Sequence, residues 1–83
     1  MRILLFKVSS CSHCQRQEML LKQSGINYIP CELFKNRELA RKYGVTDVPT
    51  TVVVDDNNNV LFKYNFTLNK IDLEKLTLIL QKM

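Results

Sequence analysis

Glycine and proline are scarce in this sequence, with two of each among 83 residues, and tryptophan is absent. Collagen-like and low-complexity chains need far more glycine and proline, so both classes are excluded. A hydrophobic content of 46% also excludes a disordered chain, which has too few apolar side chains to form a core. We therefore expect an ordinary globular protein in which residues 1–83 form one domain.

Long apolar runs are missing as well. The run at residues 3–6 ends at Lys7, far short of the roughly 20 residues that cross a bilayer, and no small-residue cleavage site follows it. We predict a cytoplasmic protein with no membrane partner.

The sequence carries a formal net charge of +4, but its basic residues are spread along the chain and neighbour acidic ones, as between Lys35 and Lys42. Such a pattern is typical of a solvated surface rather than a nucleic-acid interface. We expect a monomer that binds no nucleic acid.

Cysteine and histidine are also few, with three and one respectively. An odd number of cysteines, two of them in a CxxC pair, does not suit a disulfide scaffold of a secreted protein. It fits a reducing compartment and a catalytic or metal-binding role.

The hydrophobic pattern predicts alternating strands and helices. Residues 1–8 form a strand with both faces covered, and residues 11–24 a helix preceded by possible N-caps at Ser9 and Ser10 and closed by Gly25. Residues 26–33 return as a strand. Asn36 is then expected to cap a short helix over residues 37–43, which Gly44 ends.

The second half predicts a hairpin and a last helix. Two strands at residues 50–54 and 60–64 flank a turn rich in aspartate and asparagine, and Asn69 caps a helix with an apolar stripe near the 3.6-residue period. The order is βαβαββα. We predict an α/β fold with a mixed four-stranded sheet flanked by helices, parallel in its first half and antiparallel in the hairpin.

The CxxC pair, Cys11 and Cys14, lies where the first strand passes into the first helix. Cysteines three positions apart on a helix are neighbours on one face. The free amides and the dipole of the helix start favour a thiolate, which is the nucleophilic form. Cys11, nearer the helix start, is therefore predicted to attack a substrate disulfide, and Cys14 to resolve the mixed disulfide.

Three other interpretations of the pair remain open at this point. A structural disulfide is disfavoured because its loop is too short to remove much entropy from the unfolded chain. A zinc site lacks a second pair of ligands, since only His13 and Cys31 remain. Two inert thiols are the third alternative, although a helix N-terminus is a poor environment for an inert thiol. We assign no metal ligand.

These residues also carry a resemblance. The segment Cys11-Ser12-His13-Cys14, followed by Tyr-Gly-Val-Thr-Asp-Val-Pro-Thr at residues 43–50, resembles the thioredoxin and glutaredoxin family over essentially the whole chain. The resemblance implies a thioredoxin-like fold and a cis peptide between Val48 and Pro49 that faces the cysteines. It also implies that the backbone of Val48 pairs with an extended substrate. A proline suits the start of a strand because it has no amide hydrogen to pair.

The sequence departs from the family at several positions. Thioredoxins usually have tryptophan before the first cysteine, Gly-Pro between the pair and a carboxylate six residues before the nucleophile. Here these places hold Ser10, Ser12-His13 and Leu5. Glutaredoxins usually hold glutathione with a Gly-Gly turn and an aspartate after the hairpin, where this chain has Asn65-Phe66 and, further on, Asp72.

We therefore predict a protein-disulfide oxidoreductase of thioredoxin or glutaredoxin type, which acts in redox homeostasis with its own dithiol as the redox group. Its partners are protein disulfides, with thioredoxin reductase or glutathione as the electron donor. The alternative is a thioredoxin-fold binding module that holds a metal or an iron–sulfur cluster, with or without glutathione. His13 is expected to tune the thiolate of Cys11 as a cation, and Cys31 to be a buried, inert thiol.

Overall fold

The computed structural model describes residues 1–81, and its strands and helices follow the order βαβαββα that the sequence predicts. The strands are β1 (Arg2–Lys7), β2 (Ile29–Glu32), β3 (Thr50–Val54) and β4 (Val60–Tyr64), and the helices are α1 (Ser12–Gln23), α2 (Arg37–Lys42) and α3 (Lys70–Gln81).

The four strands form one mixed sheet in the order β2-β1-β3-β4. β1 pairs with β2 in parallel, while the β1–β3 and β3–β4 pairs are antiparallel. Phe6 lies between Cys31 of β2 and Thr50 of β3, so the end of β1, the end of β2 and the start of β3 share one edge of the sheet. The predicted fold class is confirmed.

β1 is buried on both faces, as its unbroken apolar run predicts. Ile3 and Leu5 belong to one core layer with buried residues of α1 and α3, among them Leu21 and Leu73. Leu4 and Phe6 belong to the opposite layer, which contains Ala40 of α2 and several residues that flank it. The central strand thus fixes where both helical layers lie relative to Cys11.

Several predicted boundaries were too wide. β2 is four residues long rather than eight, because Gly25 adopts a left-handed conformation at φ +70° and the amide of Ile26 donates back to Leu21 O at 3.1 Å. Residues 26–28 therefore lie in no strand, and pairing begins at Ile29. A 3₁₀ turn at Leu33–Lys35 follows β2 where the sequence predicted strand and loop.

Asn36 occupies the N-cap position of α2, as predicted, but it makes no capping side-chain bond. The side chain of Asn36 makes no hydrogen bond to the helix, and its Nδ2 donates instead to Glu32 O at 2.8 Å. This bond ties the Asn36 side chain to the end of β2, and the amides at the helix start receive no side-chain acceptor from Asn36. At the other end, Tyr43 is the C-cap residue rather than part of the helix.

Local hydrogen bonds explain the hairpin and the start of α3. Asp55 accepts from the amides of Asn57 and Asn59, both at 2.9 Å, and so closes the turn between β3 and β4. Asn69 Oδ1 accepts from the amide of Asp72 at 2.8 Å, and Asp72 Oδ2 accepts from the amide of Asn69 at 3.0 Å. This reciprocal pair confirms Asn69 as a cap.

Within residues 1–81, no helix is long and apolar enough to cross a bilayer.

Candidate functional site

Cys11 occupies the N-cap position of α1. Its backbone is extended at φ −92° and ψ 113°, and its Sγ accepts a hydrogen bond from the amide of Cys14 at 3.1 Å. The Cys11 amide itself donates to Val8 O at 3.2 Å, which closes the turn after β1. The expectation that Ser9 or Ser10 caps the helix was wrong, because the Cys11 sulfur takes the position of the capping oxygen. A sulfur that accepts a helix amide is better stabilised as a thiolate than as a thiol.

The two sulfurs differ in their access to solvent. Cys11 is partly exposed, while Cys14 is 1% exposed and lies on the buried face of α1 with Gln17 and Leu21. Both residues are free thiols in the structure. An incoming disulfide can therefore reach the Cys11 sulfur, whereas the buried Cys14 sulfur is shielded from it.

The protonation of Cys14 follows from its surroundings. Burial, reinforced by the hydrogen bond with Cys11, raises the pKa of the Cys14 thiol to about 11. Low polarity disfavours the charged form of any acid. Near neutral pH, Cys14 is therefore a thiol, and Cys11 is left as the nucleophile.

His13 lies between the two cysteines in the first turn of α1, and its side chain is exposed. The imidazole therefore lies on the surface of the first turn of α1. Its role in tuning the thiolate stays a prediction.

The Val48–Pro49 peptide bond is cis, as the resemblance implied. β3 begins at the next residue, Thr50, which pairs with Phe6 near the end of β1. The hydroxyl of Thr50 donates to Asp47 O at 2.6 Å and so fixes the turn that leads into Pro49. The sheet register therefore brings the cis-proline turn to the same edge as the loop that carries Cys11.

Sequence reasoning missed a charged network beside this loop. Lys7 Nζ donates to Glu18 Oε1, and the Tyr28 hydroxyl donates to Glu18 Oε2, both at 2.6 Å. Burial alone would raise the pKa of Glu18, but the hydrogen bonds from Lys7 and Tyr28 and the Lys7 charge hold it below its ordinary value. Burial and the bond to Glu18 raise the pKa of Tyr28 to about 12. The only signal in the sequence was that Glu18 follows Cys14 by one helical turn.

A second missed contact joins α1 to the loop before α3. Gln17 is fully buried, its Nε2 donates to Leu68 O at 3.3 Å, and its Oε1 accepts from the amide of Leu68 at 2.6 Å. The side-chain amide of Gln17 thus pairs with both backbone polar groups of Leu68, as a neighbouring strand would in a β-ladder. These two bonds hold α1 and the loop before α3 together. The loop at residues 65–69 is thereby fixed against the helix that carries Cys14.

The remaining candidate residues lie apart from the thiol pair. Cys31 is buried in the core layer beneath α2, and burial raises the pKa of its thiol, as expected of an inert cysteine. Leu5, where thioredoxins have a carboxylate, is fully buried among apolar side chains. Across residues 1–81, no three His, Cys, Asp or Glu side chains are placed to hold one metal ion within this chain.

The chain has a thioredoxin-like fold with a CxxC dithiol at the start of α1, so the fold that the resemblance implied is confirmed. The chain is similar to the SPbeta prophage-derived thioredoxin-like protein YosR of Bacillus subtilis (strain 168), with 29% identity over 70 residues that cover 78% of this chain and 88% of that protein. No protein-family model matches the chain.

Solved structures give the same result for the fold. Thioredoxin-2 of a malaria parasite matches with a TM-score of 0.72 and 28% identity, over 98% of this chain and 81% of that one. A mutant thioredoxin from Halobacterium salinarum NRC-1 matches with a TM-score of 0.79 and 23% identity, over 89% of this chain and 68% of that one. Fold and dithiol together support thiol–disulfide exchange as the general chemistry of the site.

Proposed function

We propose that this protein is a protein-disulfide oxidoreductase in which Cys11 is the nucleophile and Cys14 the resolving thiol. The observation that carries the proposal is the asymmetry of the pair. Cys11 is accessible and accepts the Cys14 amide at 3.1 Å, while Cys14 is buried and held as a thiol.

The reaction has two exchange steps. The Cys11 thiolate attacks one sulfur of a substrate disulfide, the substrate S–S bond breaks, and the other substrate sulfur leaves as a thiolate that takes a proton from water. Cys14 then loses its proton to water and attacks the Cys11 sulfur, which forms the Cys11–Cys14 disulfide and releases the second substrate thiolate. The substrate gains two electrons, and the protein loses two.

The cis-proline turn is the proposed docking edge for the substrate chain. Pro49 is buried and Val48 is partly exposed at the edge of the sheet that carries Cys11. In the proposed complex, the backbone of Val48 pairs with an extended substrate segment next to its disulfide.

A thioredoxin reductase is the proposed electron donor. The segment after β4, Asn65-Phe66, has no glycine, and Phe66 is 52% exposed where a glutathione-holding turn would need close access to the backbone. Turnover measured side by side with thioredoxin reductase and with glutathione plus its reductase tests this assignment. Efficient turnover with glutathione and no response to the reductase would reverse it.

Single cysteine variants test the proposed function itself. Cys11→Ser abolishes disulfide reduction, and Cys14→Ser accumulates a mixed disulfide through Cys11 that mass spectrometry detects. Cys31→Ser is the matched control, since Cys31 is buried in the other core layer and turnover stays nearly intact. Equal loss in all three variants, or zinc or colour in the purified protein, would support the metal or iron–sulfur alternative instead.

A further inference from the structure

Three elements meet at the carboxylate of Glu18. Lys7 is the last residue of β1, Glu18 lies in the middle of α1, and Tyr28 directly precedes β2. The two hydrogen bonds that Glu18 accepts are 2.6 Å long, and the Lys7 and Glu18 side chains are only 27% and 18% exposed. Two donors from separate elements thus fix the carboxylate in one position.

The fixed carboxylate stands one helical turn from Cys14. Residues four positions apart on a helix are neighbours on the same face, so Glu18 and Cys14 face the same side of α1. Because the Cys14 sulfur is buried, the charge of Glu18 acts on it through a medium of low polarity, where Coulomb interactions are stronger than in water. The direction agrees with the raised pKa of Cys14, to which Glu18 contributes the smallest of the identified causes.

Within residues 1–81, few other charged and titratable groups surround this pair. Lys7 from β1, Lys22 from α1 and the Tyr28 hydroxyl face Glu18, while Cys11 faces Cys14. Both Glu18 oxygens already accept a short hydrogen bond, and the carboxylate is stabilised as an anion. Glu18 is therefore a fixed charge and a poor proton acceptor.

We propose that Glu18 is a positioning residue of the dithiol, a fixed negative charge that opposes ionisation of Cys14 and so sets how long the mixed disulfide lasts. This inference rests on the proposed function. Once the Cys11 sulfur is bound in a mixed disulfide, its own charge no longer opposes ionisation of Cys14. Glu18 then remains as the anion that holds the proton on the resolving thiol.

The first test does not need catalysis. In a Cys11→Ser, Cys31→Ser background only Cys14 is left, and its ionisation is followed by the ¹³Cβ chemical shift of Cys14, which tyrosine ionisation does not obscure. Glu18→Gln keeps the shape of the side chain and removes its charge. It should lower the pH midpoint of Cys14 ionisation and raise the Cys14 thiolate fraction about threefold at a fixed pH below that midpoint. Lys7→Met should move the midpoint the opposite way, because it removes the cation that partly neutralises Glu18. Glu74→Gln on α3, exposed and isosteric, is the matched control.

The second test follows the chemistry. The mixed disulfide of Cys11 with a small dye should decay about threefold faster in Glu18→Gln than in wild type near neutral pH, and its pH profile should shift towards lower pH. If Glu18 had a merely structural role, Glu18→Gln and Lys7→Met would shift the ionisation midpoint of Cys14 in the same direction. A Glu18→Gln midpoint that equals the Glu74→Gln midpoint, or lies above it, overturns the inference. If Glu18→Gln does not fold, an unchanged or lowered midpoint in Lys7→Met overturns it instead. If turnover is absent in all proteins while the midpoints move as expected, the proposed function fails and the electrostatic inference stands.

Discussion

Cys11 and Cys14 carry the same side chain three positions apart, yet only one sulfur reaches solvent. Cys11 is the extended N-cap residue, whereas Cys14 is already helical and lies in line with Gln17 and Leu21 on the buried stripe of α1. The helix therefore begins between the two thiols. This local geometry assigns different roles to two chemically identical groups.

At the residue scale, His13 gives the first prediction. A cation beside Cys11 stabilises the reduced form of the pair, which makes the protein more oxidising. We expect His13→Ala to make the reduction potential more negative by up to about 30 mV, the equivalent of tenfold in the redox equilibrium. Equilibration against glutathione buffers measures this shift, with Ser12→Ala as the control in the same loop. A potential equal to that of the control would show that His13 is only a surface side chain.

Thr51 gives the second prediction. Its hydroxyl is fully buried in β3, and it has no hydrogen-bond partner among residues 1–81. Burial of an unpaired hydroxyl destabilises a fold, and valine has nearly the same shape and a high strand preference. We expect Thr51→Val to raise the free energy of unfolding by about 1 kcal/mol, measured by urea denaturation. A loss of stability in Thr51→Val would show that the hydroxyl is bonded in solution.

At the element scale, the Gln17 amide holds α1 to the loop before α3. Gln17→Ala would leave the buried amide and carbonyl of Leu68 without partners, and each such group costs about 1–3 kcal/mol. We expect the free energy of unfolding to fall by about 3 kcal/mol in total, seen as a lower urea midpoint at an unchanged slope.

Gln15 provides the matched control for this element. It lies on the exposed side of the same helix and donates one long hydrogen bond, 3.4 Å, to Ser9 O. Gln15→Ala should change stability by no more than about 0.5 kcal/mol. Similar losses in both variants would mean that helix propensity, and not the contact with Leu68, explains the effect.

At the scale of the whole molecule, the raised pKa values predict how stability depends on pH. The folded state raises the pKa of Cys14 from 9.0 to about 11 and that of Tyr28 from 10.0 to about 12. Folding therefore favours the protonated forms, and the unfolded chain loses these protons first. This contribution is complete below about pH 9 and is lost as the pH rises towards 11 and 12.

Cys14 alone accounts for roughly 3 kcal/mol of this loss, since its pKa rises by about two units and each unit corresponds to roughly 1.4 kcal/mol. Chemical denaturation of the reduced protein between pH 8 and pH 11 measures it. Cys14→Ser, which has no titratable thiol at this position, should show a visibly flatter profile. Parallel profiles for the two proteins would contradict the prediction.

The sequence by itself determined the order of elements, the mixed sheet and the identity of the dithiol. Apolar periodicity, capping residues and the turn at residues 55–59 act over a few neighbouring positions, so they can be read along the chain. The cis bond before Pro49 came from the family resemblance, because most proline bonds are trans and no local pattern marks this one.

Only the tertiary structure decided the electrostatics of the site. Glu18 meets Lys7 and Tyr28 across separations of 11 and 10 residues, and Gln17 meets Leu68 across 51. The burial of Cys14 likewise depends on packing between α1 and the rest of the core. The sequence pattern around a polar or charged side chain does not identify its hydrogen-bond partner. The partner depends on which elements the fold brings together, and the strength of the interaction depends on how much water their packing excludes.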